Sequence, residues 1–246
     1  MNCLVFAYPR HFLVSVEAIK RARRLLRCDQ ITVIWDDLHD QSQPVDQVRA
    51  QYALALGWDI AVIPHSRWPV DKSTSGWLRQ QWIKLQLDQV FSDSAWIIMD
   101  GDCWLASPVA LTLGQAHRAT EYYEPYWQWA ATLGLRWPGH SRIHALNIFE
   151  RSVLASFHRA YPRIYQDFEL WNRQHNTQGL VPGFSEFELY YSHAEQRMGR
   201  RYRNIPTILR EYTSPTQFLS CCDSQHSVLH GCDQDLLALG WRPTGP

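Results

Sequence analysis

Over its first hundred residues the chain alternates two kinds of apolar pattern. Nearly unbroken apolar runs occupy residues 3–7, 31–35, 59–63 and 95–99. Each is rich in β-branched or aromatic residues and is closed by a polar or proline-bearing turn, which predicts buried strands. Between them, residues 14–26, 48–56 and 76–91 carry apolar positions at helical spacing, the second stretch closed by Gly57. Strands that are apolar throughout and separated by helices predict an α/β fold with a mostly parallel sheet covered on both faces. After about residue 110 the pattern weakens. Residues 121–137 are aromatic and read as a flexible lid, 143–149 as a strand, 151–161 and 186–198 as helices, and the chain from Asn204 onward as irregular. No repeat or linker divides it, so residues 1–246 are expected to form one domain.

In such sheets ligands bind beyond the carboxyl ends of the strands. Tyr8-Pro9-Arg10, Asp36-Asp37, His65-Ser66 and Asp100-Gly101-Asp102 all fall at those ends. An Asp-x-Asp alone carries little weight in a chain with 15 Asp, and Asp233-Gln234-Asp235 is a second match with no strand before it. The first match gains weight from the apolar run that leads into it. On a straight strand, residues two apart sit roughly 6–7 Å from each other. The intervening Gly101 is expected to let the backbone turn both carboxylates toward one ion. Such hard oxygen ligands suit Mg²⁺ or Mn²⁺, and the ion would neutralise charge on a leaving diphosphate. The plain alternative is a strand end with two solvated acids.

Composition narrows this picture. The formal charge is zero, with 24 acidic and 24 basic residues, which argues against a dedicated nucleic-acid binder. Local clusters at Lys20, Arg21, Arg23, Arg24 and Arg27 and at Arg197, Arg200, Arg201 and Arg203 read as solvated helix faces, or as contacts for an anionic acceptor or membrane surface. The 12 Trp and 11 Tyr fit core packing and also stacking against sugar rings or bases. Six Cys show no disulfide framework, the apolar start lacks the features of a secretory signal, and no run approaches the ~20 apolar residues of a membrane span. A reduced, cytoplasmic setting is expected. Cys221, Cys222, His226, His230 and Cys232 could hold a structural zinc, although adjacent cysteines match common zinc patterns poorly.

Three blocks carry a resemblance. Gly76-Trp77-Leu78-Arg79-Gln80-Gln81-Trp82-Ile83-Lys84-Leu85, then Trp96 to Asp102, then Ser185-Glu186-Phe187-Glu188-Leu189-Tyr190 resemble, in that order, bacterial glycosyltransferase-like proteins of the GT-A class. The resemblance implies a single GT-A-like, Rossmann-like domain. Residues 1–110 would form the nucleotide-sugar-binding half and 111–246 an irregular acceptor-binding half. It implies transfer of a sugar from a nucleotide-diphosphate donor, a UDP- or GDP-sugar, to a hydroxyl of a glycan or glycolipid, with Mn²⁺ or Mg²⁺ as cofactor. Tyr8, Arg10, Asp36, Arg79, Gln80, Lys84 and Asp100 would meet the donor, and Asp100, Asp102 and the late His230 would hold the metal. Glu186 is the candidate base or acceptor contact, with Glu188 beside it, and helix-capping acids after Ser185 are the competing reading. His144 and Asn147 border the sugar pocket or pack in the core.

Three other classes compete. A haloacid-dehalogenase phosphatase also uses Asp-x-Asp after a strand, but normally on the first strand and before Thr, whereas here Cys103 follows. A non-catalytic carbohydrate-binding protein of the same fold would bind without Asp102. A transferase acting on modified DNA bases would use the Arg clusters and bind with steep salt dependence.

Overall fold

The computed structural model describes residues 1–26, 28–38, 43–72, 74–105, 108–116, 124–142, 146–175, 185–204, 210–212 and 227–230. The first half runs β1 (Asn2–Ala7), α1 (Phe12–Leu25), β2 (Ile31–Trp35), α2 (Val45–Leu56), β3 (Ala61–Pro64), α3 (Gly76–Leu85) and β4 (Ala95–Asp100). Then come β5 (Cys103–Leu105), β6 (Gln115–Ala116), α4 (Glu124–Thr132), β7 (Leu146–Glu150), α5 (Arg151–Ala160), α6 (Ile164–His175) and α7 (Glu186–Met198). Short strands β8 (Arg203–Asn204), β9 (Arg210–Tyr212) and β10 (Ser227–His230) follow.

Five strands form the central sheet in the order β3-β2-β1-β4-β7, and all pairs are parallel except β4 with β7. The unbroken apolar runs have a direct cause. Along β1, Cys3, Val5 and Ala7 face a core shared with Val14, Ile19 and Tyr52, while Leu4 and Phe6 face a second core with Trp82, Ile83 and Phe187. Alternate residues point to opposite faces, and both faces are buried, so no polar alternation survives.

Three expectations change. The helix expected over 76–91 ends at Leu85, because Gln86 leaves helical geometry at φ −114° and its carbonyl accepts a 3.1 Å hydrogen bond from Trp68 Nε1. The expected lid at 121–137 contains α4, anchored by buried Trp127 and Trp129, with the Trp129 ring 4.9 Å from that of Phe168 on α6. Residues 121–123 lie outside the described ones, and α6 was not foreseen at all. The stretch after Asn204, expected to be irregular, contributes β10, which pairs antiparallel to β5, with β9 on its other side. No helix among the described residues is long and apolar enough to cross a membrane.

Candidate functional site

The chain runs from β1 outward to β2 and β3, then returns to the other flank of β1 as β4. Strand order therefore reverses between β1 and β4, the point at which open α/β sheets form a ligand crevice. The carboxyl end of β1 delivers Tyr8 there, and the end of β4 delivers Asp100, Gly101 and Asp102. Asp100 lies in register with Phe6, and Gly101 N donates to the Phe6 carbonyl at 2.6 Å. A Cβ on Gly101 would come within 2.5 Å of that oxygen. The glycine is thus required by the close approach of the turn to β1, and not by the positive φ that a freely turning backbone would need.

A cavity of about 270 Å³ opens at this point. One wall is a single face of α3, where Trp77, Gln80, Gln81 and Lys84 recur at i, i+3, i+4 and i+7. Ser75 caps that helix through the Leu78 N–H, and Ser185 caps α7 through the Glu188 N–H, which fixes Glu186 in the first turn facing the cavity. Tyr8, Tyr126 and Phe187 complete an aromatic lining.

Lys84 ties the walls together. Its Nζ donates to Asp100 Oδ1 and to Glu186 Oε1, both at 2.8 Å, and Gln80 Nε2 adds 2.9 Å to the same Asp100 oxygen. The ammonium is buried, 4.7 Å from the Phe187 ring centre and 5.3 Å from that of Phe6. Burial alone would lower its pKa, but Asp100 and Glu186 outweigh it and hold the charge firmly in place. Burial likewise pushes the Glu186 carboxyl above its ordinary value, Lys84 pulls it back, and Asp100 pushes it up again. Asp102 is held from behind. Cys103 Sγ donates to its Oδ1 at 3.3 Å, and His11 Nδ1 lies 3.5 Å from its Oδ2, with the imidazole 4.4 Å from the Tyr8 ring. Among the described lining residues, Asp100, Asp102 and Glu186 against Lys84 leave two formal negative charges in excess.

Compared with solved structures, the chain superposes over its full length on galactosyltransferase LgtC in complex with donor and acceptor sugar analogs. The match has a TM-score of 0.52 and 14% identity, and covers 98% of that chain. An active-site mutant of LgtC gives 0.54 at the same identity, over 100% of this chain and 98% of the other. The fold is that of the GT-A glycosyltransferases. The bifunctional glycosyltransferase WbbM matches at 0.50 and 8% identity, over 94% of this chain and 45% of its own. No family model and no curated protein sequence matches the chain.

Within this GT-A fold the sequence candidates divide. Tyr8, Gln80, Lys84, Asp100, Asp102 and Glu186 converge on the cavity. Asp36 and Arg79 do not line it. Arg79 Nη2 bridges both Asp36 oxygens at 2.8 and 3.0 Å, and its Nη1 donates to the carbonyls of Lys72 and Thr74. A guanidinium so enclosed is committed to its buried carboxylate. Burial would raise the Asp36 pKa, but His65, with Nδ1 3.3 Å away, and Arg79 bring it down to about 2. Glu188 also does not line the cavity. Two residues turn a helix by roughly 200°, so it points to the far side of α7 and accepts from Ser141 Oγ at 2.5 Å and Arg142 N at 3.3 Å.

Arg10 sits in the 3₁₀ turn Pro9–His11 directly after Tyr8, with its side chain outside the described ones. His230 lies on β10, its backbone opposite Cys103, and again its side chain is outside the described ones. Asn147 is buried in β7 and donates to the Arg142 carbonyl at 3.3 Å, while His144, Cys221, Cys222, His226, Cys232 and the second Asp-x-Asp lie outside the described residues. Among the described residues no three His, Cys, Asp or Glu side chains gather as a ready metal cage. Two carboxylates at one rim suit a cation that completes its shell with phosphate oxygens and water. Sequence reasoning missed His11, Trp77, Gln81, Tyr126 and Phe187. Of these, Trp77 and Gln81 were legible as the same helical face as Gln80 and Lys84.

Proposed function

We propose that the protein is a metal-dependent glycosyltransferase that moves a sugar from a nucleotide-diphosphate donor, UDP- or GDP-linked, to a hydroxyl of a glycan or glycolipid. The observation that carries this reading is the charge of the cavity at the β1/β4 reversal. Among the described lining residues a diphosphate would meet an excess of negative charge, and their cation, Lys84, is already held by two carboxylates. Arg79, the basic residue next to it in sequence, is spent on Asp36. A divalent cation on Asp100 and Asp102 reverses the local sign and admits the anion. The backbone position of His230, opposite Cys103 and so one residue from Asp102, supports it as a further ligand. When bound, Mn²⁺ or Mg²⁺ would neutralise the charge that builds on the departing diphosphate.

The chain's own residues do the rest. Gln80 and Lys84 fix Asp100 Oδ1, Cys103 and His11 flank Asp102, and Tyr8 and Tyr126 offer flat faces to a base or a sugar ring. Glu186, raised in pKa and oriented by Lys84, receives the proton of the acceptor hydroxyl.

The test is a thermal-shift panel of UDP- and GDP-sugars, with and without Mn²⁺, on wild type and Asp102→Ala. One nucleotide sugar is expected to raise the melting temperature only with metal, by the equivalent of about 2.7 kcal/mol at a hundredfold excess over Kd, and Asp102→Ala should lose the effect. Equal stabilisation of the two proteins, or stabilisation without metal, would overturn the assignment.

A further inference from the structure

Two basic clusters far apart in sequence take no part in the chemistry proposed above, and the fold brings them to one surface. The first, on the last turns of α1, holds Lys20, Arg21 and Arg24, and the second, just after α7, holds Arg200, Arg201 and Arg203. The loop 108–114 joins them. Val109 N donates at 3.1 Å to the carbonyl of Leu25, the last residue of α1, and Arg203 N donates at 2.9 Å to the Gly114 carbonyl. Five residues of chain span at most about 18 Å, so the clusters flank one short loop. The surface lies at the amino-terminal edge of the sheet, because Arg200 pairs with Glu150, whose register partner Ala95 opens β4. That edge is opposite the cavity.

The charges on this surface are not all matched. Glu17 takes up Arg21 at 2.7 Å, and Glu150 takes up Arg200 at 3.5 Å. Arg24, Arg201 and Arg203 are exposed, and no carboxylate among the described residues pairs with them. Between these flanks, Pro108 to Ala116 carries no charged residue. Val109 and Leu111 pack against the core beneath α1, whereas Leu113 stays 51% exposed. The turn that carries Leu113 is held in shape. Thr112 N donates to Gln115 Oε1 at 2.8 Å, and Gly114 takes a φ of 74°.

We infer that this surface docks the protein on an anionic lipid bilayer, with Arg24, Arg201 and Arg203 on headgroup phosphates and Leu113 in the interface between them. Charge complementarity selects the headgroup, since unmatched guanidiniums are drawn to an anionic leaflet. The apolar residue set among them selects the bilayer, because it gains by entering the boundary between headgroups and acyl chains. A nucleic acid offers the same phosphates but no apolar layer to receive Leu113. Docking by this edge leaves the cavity facing away from the lipid, so membrane binding and sugar transfer can be tested apart.

The experiment sediments the full chain with vesicles of phosphatidylcholine alone and of phosphatidylcholine with phosphatidylglycerol, at low and at high salt. The chain is expected to pellet with the anionic vesicles only, and high salt should release it by screening the headgroup charge. Arg24→Glu/Arg201→Glu should weaken partitioning at least about tenfold, given roughly fivefold for each charge near such a surface. Leu113→Ser should weaken it about threefold or more and leave the salt dependence as it was. Arg159→Glu/Arg163→Glu makes the same change in net charge at exposed positions on α5 and just before α6, and should bind as wild type. Circular dichroism checks the fold of each variant, and Leu113→Ser with the salt series decides if Arg24→Glu/Arg201→Glu misfolds. The inference fails if the anionic vesicles leave the chain in the supernatant, or if neutral vesicles pellet it equally. It also fails if the two charge-reversed pairs weaken binding alike, or if duplex DNA competes the chain off the vesicles.

Discussion

Glu186 and Glu188 sit two residues apart on α7 and are equally hidden from solvent, yet they live in different chemistry. Glu186 faces the cavity and meets a full positive charge at 2.8 Å, whose second partner is Asp100. Glu188 faces the turn at 140–142 and meets a hydroxyl and a backbone N–H, while Arg142, close by, gives its Nη2 to Glu195. One carboxylate is held by a charge and the other by dipoles. The cavity side is therefore a network whose members cannot be removed singly, and the far side is a neutral clamp on the segment that enters β7.

The largest effect expected from this contrast is at Lys84. Lys84→Met leaves Glu186 buried without its counter-charge and should cost about 3–5 kcal/mol, the usual loss when one partner of a buried pair is deleted. Urea unfolding at neutral pH measures it. Adding Glu186→Gln to Lys84→Met should recover a large part of that loss, since the uncompensated charge is then gone. A loss below about 1 kcal/mol would mean that the pair contributes no more than an exposed one.

Glu188 should instead announce itself through pH. Burial lifts its carboxyl from 4.5 to about 7, against the pull of Ser141 and Arg142. Between those values the native state keeps a proton that the unfolded chain has lost. Stability contributed here is thus greatest below the unfolded value, falls as pH rises through the window, and levels off above it. At ~1.36 kcal/mol per unit the total is about 3 kcal/mol. Glu188→Gln keeps an acceptor for Ser141 and removes the charge, so unfolding free energies at pH 5 and pH 8 should differ less in the variant by about that amount. A variant that retains the wild-type slope would place the titration elsewhere.

This difference between neighbours was invisible in sequence, and the reason is physical. The central strands were legible because a strand buried on both faces is apolar throughout, and β1, β2 and β4 fall within about a residue of the apolar runs at 3–7, 31–35 and 95–99. The acids closing them were legible as a group, since strand ends at a reversal of strand order collect ligands. Their partners were not. Lys84 and Glu186 are 102 residues apart, and Asp36 and Arg79 are 43 apart, so nothing local says which strand-end acid is neutralised and which stays open. Gln80 and Arg79 are adjacent in the chain and end in opposite roles, one on the cavity wall and one behind it. The helix α4 was missed for a related reason, since aromatic residues on several of its faces hide the 3.6-residue period that core burial of Trp127 and Trp129 would otherwise leave.

The smallest expected effect sharpens the comparison most, because it tests the dipoles themselves. Ser141→Ala removes the hydroxyl that donates to Glu188 Oε1 and leaves the Arg142 N–H in place. At pH 8 the carboxylate is ionised and the lost bond is charge-assisted, so the cost should be about 1.5–2 kcal/mol. At pH 5 Glu188 carries its proton, the bond is one between neutral groups, and the cost should shrink to about 1 kcal/mol or less. The variant should therefore steepen the fall of stability with pH that Glu188→Gln flattens, and Glu188→Gln/Ser141→Ala should lose the pH dependence of the serine's contribution. If Ser141→Ala costs the same at both pH values, Glu188 is not ionised at pH 8 and the far side of α7 holds a permanently neutral acid. A cost that is larger at pH 5 would make Glu188 the donor and Ser141 the acceptor, reversing the polarity of the clamp.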